Sequence, residues 1–284
     1  MATKGFPHER FLVDVAWLQA NQGDPRLRII DARAPQEYAA GHIPGAVNVP
    51  FGTLGTQNTD PNGVADFNAR QVAAFRAAGI SNDTLVVSYE NFAGATAARG
   101  VWVLDYYGHD NAKLLDGGLQ GWVAAGGEVT TTPTIVAPGT FEPTIHPERV
   151  ATYQDILDRL DRDDVVILDT RRITEHLGTE FSTARGGTIP GAVHLQWSSN
   201  VDKEGTVRAA DELRALFAQH GITPDKEIVP FCGGGYRSSH TYLILKMLGY
   251  PNVRNYLGSW GEWGNRPGLP IESRTTPRTM PGEE

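Results

Sequence analysis

The sequence predicts an α/β protein of two tandem domains, each a parallel β-sheet with helices on both faces. Three observations carry this. The chain has 284 residues, more than one compact domain commonly needs. It reads itself twice. And each copy alternates short β-branched runs with longer helical patterns, which is the signature of a parallel sheet with crossover helices.

The repeat is legible residue by residue. Asp31-Ala32-Arg33 aligns with Asp169-Thr170-Arg171, and Ile43-Pro44-Gly45-Ala46-Val47 with Ile189-Pro190-Gly191-Ala192-Val193. The second copy carries eight more residues between these marks. Downstream, TLVVSYE (84–90) pairs with EIVPFC (227–232), so Glu90 stands opposite Cys232. DGGLQGW (116–122) resembles LGSWGEW (257–263). The Pro-rich stretch 130–150 reads as the boundary, giving an N-terminal domain over 1–135, a linker over 136–149 and a C-terminal domain over 150–284. The last dozen residues read as a mobile tail.

In copy two, VVILD (165–169) is a strand and DELRALFAQHGI (211–222) a helix with its glycine stop. EIVPFC is the next strand, SSHTYLILKMLGY (238–250) a helix, and NVRNYL (252–257) a last short strand. Crossovers in such a sheet are right-handed, and loops at the carboxyl ends of strands build the site. Cys232 sits at such an end.

Composition excludes several classes. Hydrophobic residues make up 40% and charged residues 20%, a globular balance. No apolar run approaches the ~20 residues that span a bilayer, and the first residues lack the pattern of a secretory signal. The formal charge is −8 with a pI near 5.5, and the 25 Lys and Arg are scattered, which argues against nucleic acid or an anionic membrane as a partner. A single cysteine allows no internal disulfide, no CxxC pair and no multi-thiolate zinc site. The histidines show no metal-ligand spacing such as HExxH. The expectation is a cytoplasmic monomer without a metal site.

A lone cysteine is ordinarily a small buried hydrophobe. Here it ends a strand, three glycines follow, and a helix begins with Ser238 or Ser239 as candidate N-cap. Glycines let successive N–H groups converge on one point, and a helix N-terminus adds partial positive charge there. Such a cradle favours a thiolate and holds an anionic substrate beside it. Cys232 is therefore the candidate nucleophile. Gly233, Gly234, Gly235, Tyr236, Arg237 and Ser238 are the candidate substrate loop.

With these marks in place, the chain resembles the tandem-domain rhodaneses, the thiosulfate and 3-mercaptopyruvate sulfurtransferases. Tyr38 to Val49 matches the first-domain signature, and Val253 to Trp263 the C-terminal one, with Leu257 in place of the usual small or acidic residue. The resemblance implies that Cys232 takes the outer sulfur of a small-molecule donor as a persulfide and passes it to cyanide or a thiol, with no metal or organic cofactor required. It also implies a silent first domain, since Glu90 cannot carry a sulfane sulfur. The loop matches neither subgroup's usual sequence; thiosulfate, a dianion that Arg237, Arg171, Arg172 and Arg185 would suit, is the expected donor and 3-mercaptopyruvate the alternative. The family's donor-gripping arginine falls on Glu175 in an ungapped count. Arg171, Arg172 or Arg185 would supply the charge instead, with Arg185 preferred and Arg171 also readable as structural. Arg237 either binds donor or braces the loop. Trp260, Trp263 and His42, which recurs as Thr188, read as structural. A Cys-based phosphatase or arsenate reductase needs one more residue between Cys and Arg than Cys232 to Arg237 provides. A non-catalytic binding module would not be expected to keep the Cys.

Overall fold

The structure, a computed structural model, describes residues 4–273; the expected tail beyond lies outside them. The first half contains strands β1 (Leu12–Val13), β2 (Leu27–Asp31), β3 (Ala46–Asn48), β4 (Leu85–Tyr89) and β5 (Ala112–Leu115). Its helices are α1 (Val15–Asn21), α2 (Pro35–Ala40), α3 (Pro61–Ala77), α4 (Ala95–Tyr106) and α5 (Gly118–Ala124). The second half contains β6 (Val150–Ala151), β7 (Val165–Asp169), β8 (Val193–His194), β9 (Glu227–Phe231) and β10 (Asn255–Tyr256). Its helices are α6 (Tyr153–Leu157), α7 (Ile173–His176), α8 (Ala210–Gln219), α9 (Tyr236–Met247) and α10 (Ser259–Trp263).

All strand pairs are parallel, in the order β1-β5-β4-β2-β3 in the first half. The second half repeats this order in pieces. β8-β7-β9 form one ladder and β10-β6 another, and a parallel bridge from Ile228 to Val253 spans them. The last expected strand is thus shorter than its sequence suggests, with Arg254 between the bridge and β10.

Alternation along the strands assigns the faces. Ile29 and Val87 point into a core with Leu18 of α1 and Trp122 of α5, while Ile30 and Val86 join Phe67 and Phe75 of α3 on the other side. In the second half, Ile167, Val229 and Phe231 meet Ile156 of α6 and Trp263 of α10, while Leu168 and Ile228 meet α8 and α9. Helices therefore cover both faces of both sheets.

One of these cores is shared by the two halves. α4 and α9 pack against each other, and most residues of each are buried, polar ones included. Each large apolar side chain buried there contributes about 1.5–3 kcal/mol. Asp105 at the end of α4 takes Arg10, Arg149 and the Tyr242 hydroxyl of α9, so polar bonds tie the halves as well. The boundary segment is likewise packed rather than loose. Phe141 is fully buried against Phe75, Tyr107 and His109, and the segment bonds to Arg76, Asn82 and Tyr107. An aromatic residue in a Pro-rich stretch was the feature that departed from linker composition.

Candidate active site

β9 delivers Cys232 to the carboxyl edge of the second sheet, and the chain turns through the glycines into α9. Gly235, at φ +84°, is the helix N-cap, so α9 starts at Tyr236 and not after Ser238 or Ser239. The left-handed turn needs a glycine: a Cβ there would lie 2.5 Å from Nη1 of Arg99. The turn aims the Gly235 N–H at Cys232 Sγ at 3.1 Å, and the Ser238 hydroxyl lies 3.7 Å from the sulfur.

The loop is fixed from behind by α10. Trp260 and Gly261 N–H groups donate to the carbonyls of Cys232 (2.8 Å) and Gly233 (2.7 Å), and the Cys232 N–H donates to Ser259 Oγ. Ser259 has φ +51° and is the only non-glycine with positive φ among the described residues, a strained conformation of the kind found beside functional sites. The first half steadies α10 in turn: the Thr59 N–H and hydroxyl donate to the buried carboxylate of Glu262, each at 2.7 Å. The first copy repeats the two backbone bonds, from the Leu119 and Gln120 N–H groups to the carbonyls of Glu90 and Asn91, so the repeated motif supports the loop in both halves.

Cys232 is 1% exposed, while Gly233, Gly234, Tyr236 and Arg237 reach solvent. Burial by itself would push the thiol up. The charge of Arg237, the N–H groups of Ser238 and Gly234 and the Ser238 hydroxyl outweigh it and hold the thiol below its ordinary value. Arg237 is not free. Its two terminal nitrogens fork onto Glu175 at 2.6 and 2.8 Å. Burial opposes ionisation of Glu175, but Arg237 and then Arg172 hold its pKa down to about 2. Of the two readings of Arg237, the brace is seen, to Glu175 of α7, and the guanidinium also lies against the sulfur.

Two expected donor-binding residues are placed elsewhere. Arg171 is buried, forked onto Asp169 (2.9 and 2.6 Å) and bonded to Gly187 O, which repeats Arg33, Asp31 and Gly41 of the first copy. It is a brace in both copies. Arg185 donates to the carbonyls of Trp263, Gly264, Arg266 and Leu269. A cation fits the C-terminal end of α10, where carbonyls lack partners, and four of the five N–H donors of its guanidinium are spent on them. Arg172 is exposed, beside Glu175 and Glu180. Trp260 stacks on Arg171, and Trp263 bonds to Pro270 O.

The corresponding loop of the first copy is filled by its own first residue. The Glu90 side chain folds against Gly94, where a Cβ would collide with Oε1. Burial raises its pKa to about 7, against hydrogen bonds from Thr96 and Ala95. A carboxyl raised this way favours the fold fully below its ordinary value of about 4.3, and that contribution is lost as pH rises through 7. Glu90→Gln is therefore expected to leave turnover unchanged and to raise the thermal midpoint by about 2–5 °C at about pH 8, with no gain near pH 5. A folded Glu90→Gln protein that had lost most of its activity would show that this loop takes part in the chemistry.

Sequence reasoning missed Glu175 as the partner of Arg237, the Ser259 support, and Arg99. The signal for Arg99 was an arginine in the middle of the helix ATAARGVWVLDY, whose only other charged residue is Asp105 near its end.

A family model for the rhodanese-like domain matches residues 14–125 and again 152–266. The sulfur carrier protein TtuD of Thermus thermophilus is 37% identical over 283 residues, covering 94% of this chain and 98% of its own. A thiosulfate sulfurtransferase of Azotobacter vinelandii is 37% identical over 262 residues, covering 92% and 96%. Among solved structures, EanB in complex with ergothioneine superposes with a TM-score of 0.81 at 25% identity, over 94% of this chain and 71% of that one.

Proposed function

The chain belongs to the rhodanese family, and we propose that it is a thiosulfate sulfurtransferase carrying sulfur as a persulfide on Cys232. The observation that carries this is the sulfur's setting: a thiol held below its ordinary pKa, with Gly235 N–H, Ser238 hydroxyl and Arg237 directed at one atom. In the first half-reaction the Cys232 thiolate attacks the sulfane sulfur of thiosulfate. The S–S bond of the donor breaks, sulfite leaves with the bonding pair, and Cys232 is left as a persulfide. In the second, cyanide or a thiolate attacks the outer sulfur, and the Cys232 thiolate is restored. The donors that favour the thiolate also stabilise the persulfide anion, so one cradle serves both steps. No other thiol is present to divert the persulfide into an internal disulfide.

In this reading residues 150–284 form the catalytic domain, joined by 136–149 to a first domain, 1–135, that is silent because Glu90 fills its loop. The exposed face of the loop, from Gly233 to Arg237, receives the donor. Small sulfur compounds are its substrates. Among the described residues no helix is long and apolar enough to cross a membrane.

Donor choice follows from charge. Thiosulfate is a dianion, and Arg237, its fork held by Glu175, keeps a guanidinium charge beside the Cys232 sulfur, where the donor's sulfane sulfur must arrive. The expected result is a higher kcat/KM for thiosulfate than for 3-mercaptopyruvate at matched acceptor and pH, measured side by side. A clear preference for 3-mercaptopyruvate would overturn the assignment of donor while leaving the persulfide chemistry in place.

A further inference from the structure

Arg99 lies in the middle of α4, in the silent domain, yet its guanidinium meets the active-site loop. It is 1% exposed, and Nη1 donates to Gly235 O at 3.0 Å. Nε and Nη2 are buried without hydrogen-bond partners, and among the described residues no carboxylate lies within ion-pair distance. Three aromatic faces surround it: Trp102 at 4.7 Å, Tyr236 at 5.2 Å and Phe67 at 5.3 Å. A buried cation without a counter-ion is costly, so the question is which anion offsets it.

The positioning of the loop does not require it. Gly235 O also accepts from Asn255 Nδ2 and from the Ser239 hydroxyl, which pin the turn on their own. What Arg99 alone adds is charge. Burial works against that charge, and the groups whose anionic forms oppose the effect are Tyr236, Cys232 and Tyr107. Burial raises both tyrosines, so they are neutral near neutral pH. That leaves Cys232, whose Sγ accepts from the N–H of Gly235, the residue whose carbonyl Arg99 holds. The other charged groups about the sulfur are already matched: Arg237 by Glu175, and Glu262 of α10 by bonds from Thr59 and Tyr256.

We propose that Arg99 of the silent domain is a positioning residue for sulfur transfer, its unmatched charge holding the Cys232 sulfur anionic as thiolate and as persulfide. The role in transfer rests on the sulfurtransferase reading; the charge effect on Cys232 does not. It gives the silent domain an electrostatic part in the reaction through an atom that never meets substrate.

The test is the pH titration of the ultraviolet thiolate absorbance in the full-length protein, whose single cysteine makes the signal unambiguous. In Arg99→Met the midpoint should move up by about one pH unit, leaving roughly tenfold less thiolate on the acid side of both midpoints. Arg99→Lys, which keeps the charge, should stay within about twofold of wild type. Thermal midpoints are read in parallel. An unchanged titration in a folded Arg99→Met protein, with or without a lower thermal midpoint, would overturn the proposal. Should that variant not fold, Arg99→Gln is read by the same criterion. Sulfur loading of the wild type is a separate measurement, so a chain that bound no sulfur would sink the transfer reading while the titration still judged Arg99.

Discussion

Cys232→Ala is expected to abolish sulfur transfer, lowering turnover by more than about a thousandfold, to the level of the uncatalysed reaction. No second thiol exists to take over, and no other described side chain in the loop can carry a sulfane sulfur. The fold should survive. The loop is held through backbone groups, by Trp260 and Gly261 on one side and by three donors to Gly235 O on the other, none of which involves the sulfur. Thiocyanate release from thiosulfate and cyanide reads the first effect, and calorimetry the second. An alanine variant with appreciable turnover would remove Cys232 from the mechanism.

The second large effect is expected for Arg237→Ala. Charge-assisted bonds contribute about 1.5–3 kcal/mol each, so kcat/KM for thiosulfate should fall by roughly tenfold to a hundredfold. The thiol should titrate at higher pH, because Arg237 is the foremost group opposing the effect of burial on Cys232. Stability changes too, with a definite pH window. Glu175 is depressed in the fold to about 2, so its pairing stabilises above its ordinary value of about 4.3 and is lost as pH falls toward 2. The gap in thermal midpoint between wild type and Arg237→Ala should therefore be widest near neutral pH and close over that acid range. Equal losses with thiosulfate and 3-mercaptopyruvate, at an unchanged thiol titration, would reduce Arg237 to a brace.

Much of this architecture was legible because the chain repeats. Asp31-Ala32-Arg33 and Asp169-Thr170-Arg171 mark the same buried brace, and the offset between the copies placed Glu90 in register with Cys232. Strand β7 and the end of β9 lie where their apolar runs put them, because a strand buried on both faces leaves a continuous signal. What periodicity could not convey was the partner of each arginine. Arg185 looked free because its four partners are carbonyls near the end of α10, some eighty residues on, and carbonyls leave no mark in a sequence. Glu175 looked like a lost donor-binding charge, whereas it is the counter-ion of Arg237, 62 residues away. The start of α9 was misplaced because a glycine in the left-handed region caps it, where serines are the commoner signal.

The most direct test of persulfide chemistry at this site is the intact mass of the full-length protein before and after thiosulfate, and again after cyanide. The expected result is a gain of one sulfur atom, absent in Cys232→Ala, and its complete removal by cyanide with release of thiocyanate. A mass unchanged by thiosulfate, or an added sulfur that persists in Cys232→Ala, would contradict the account.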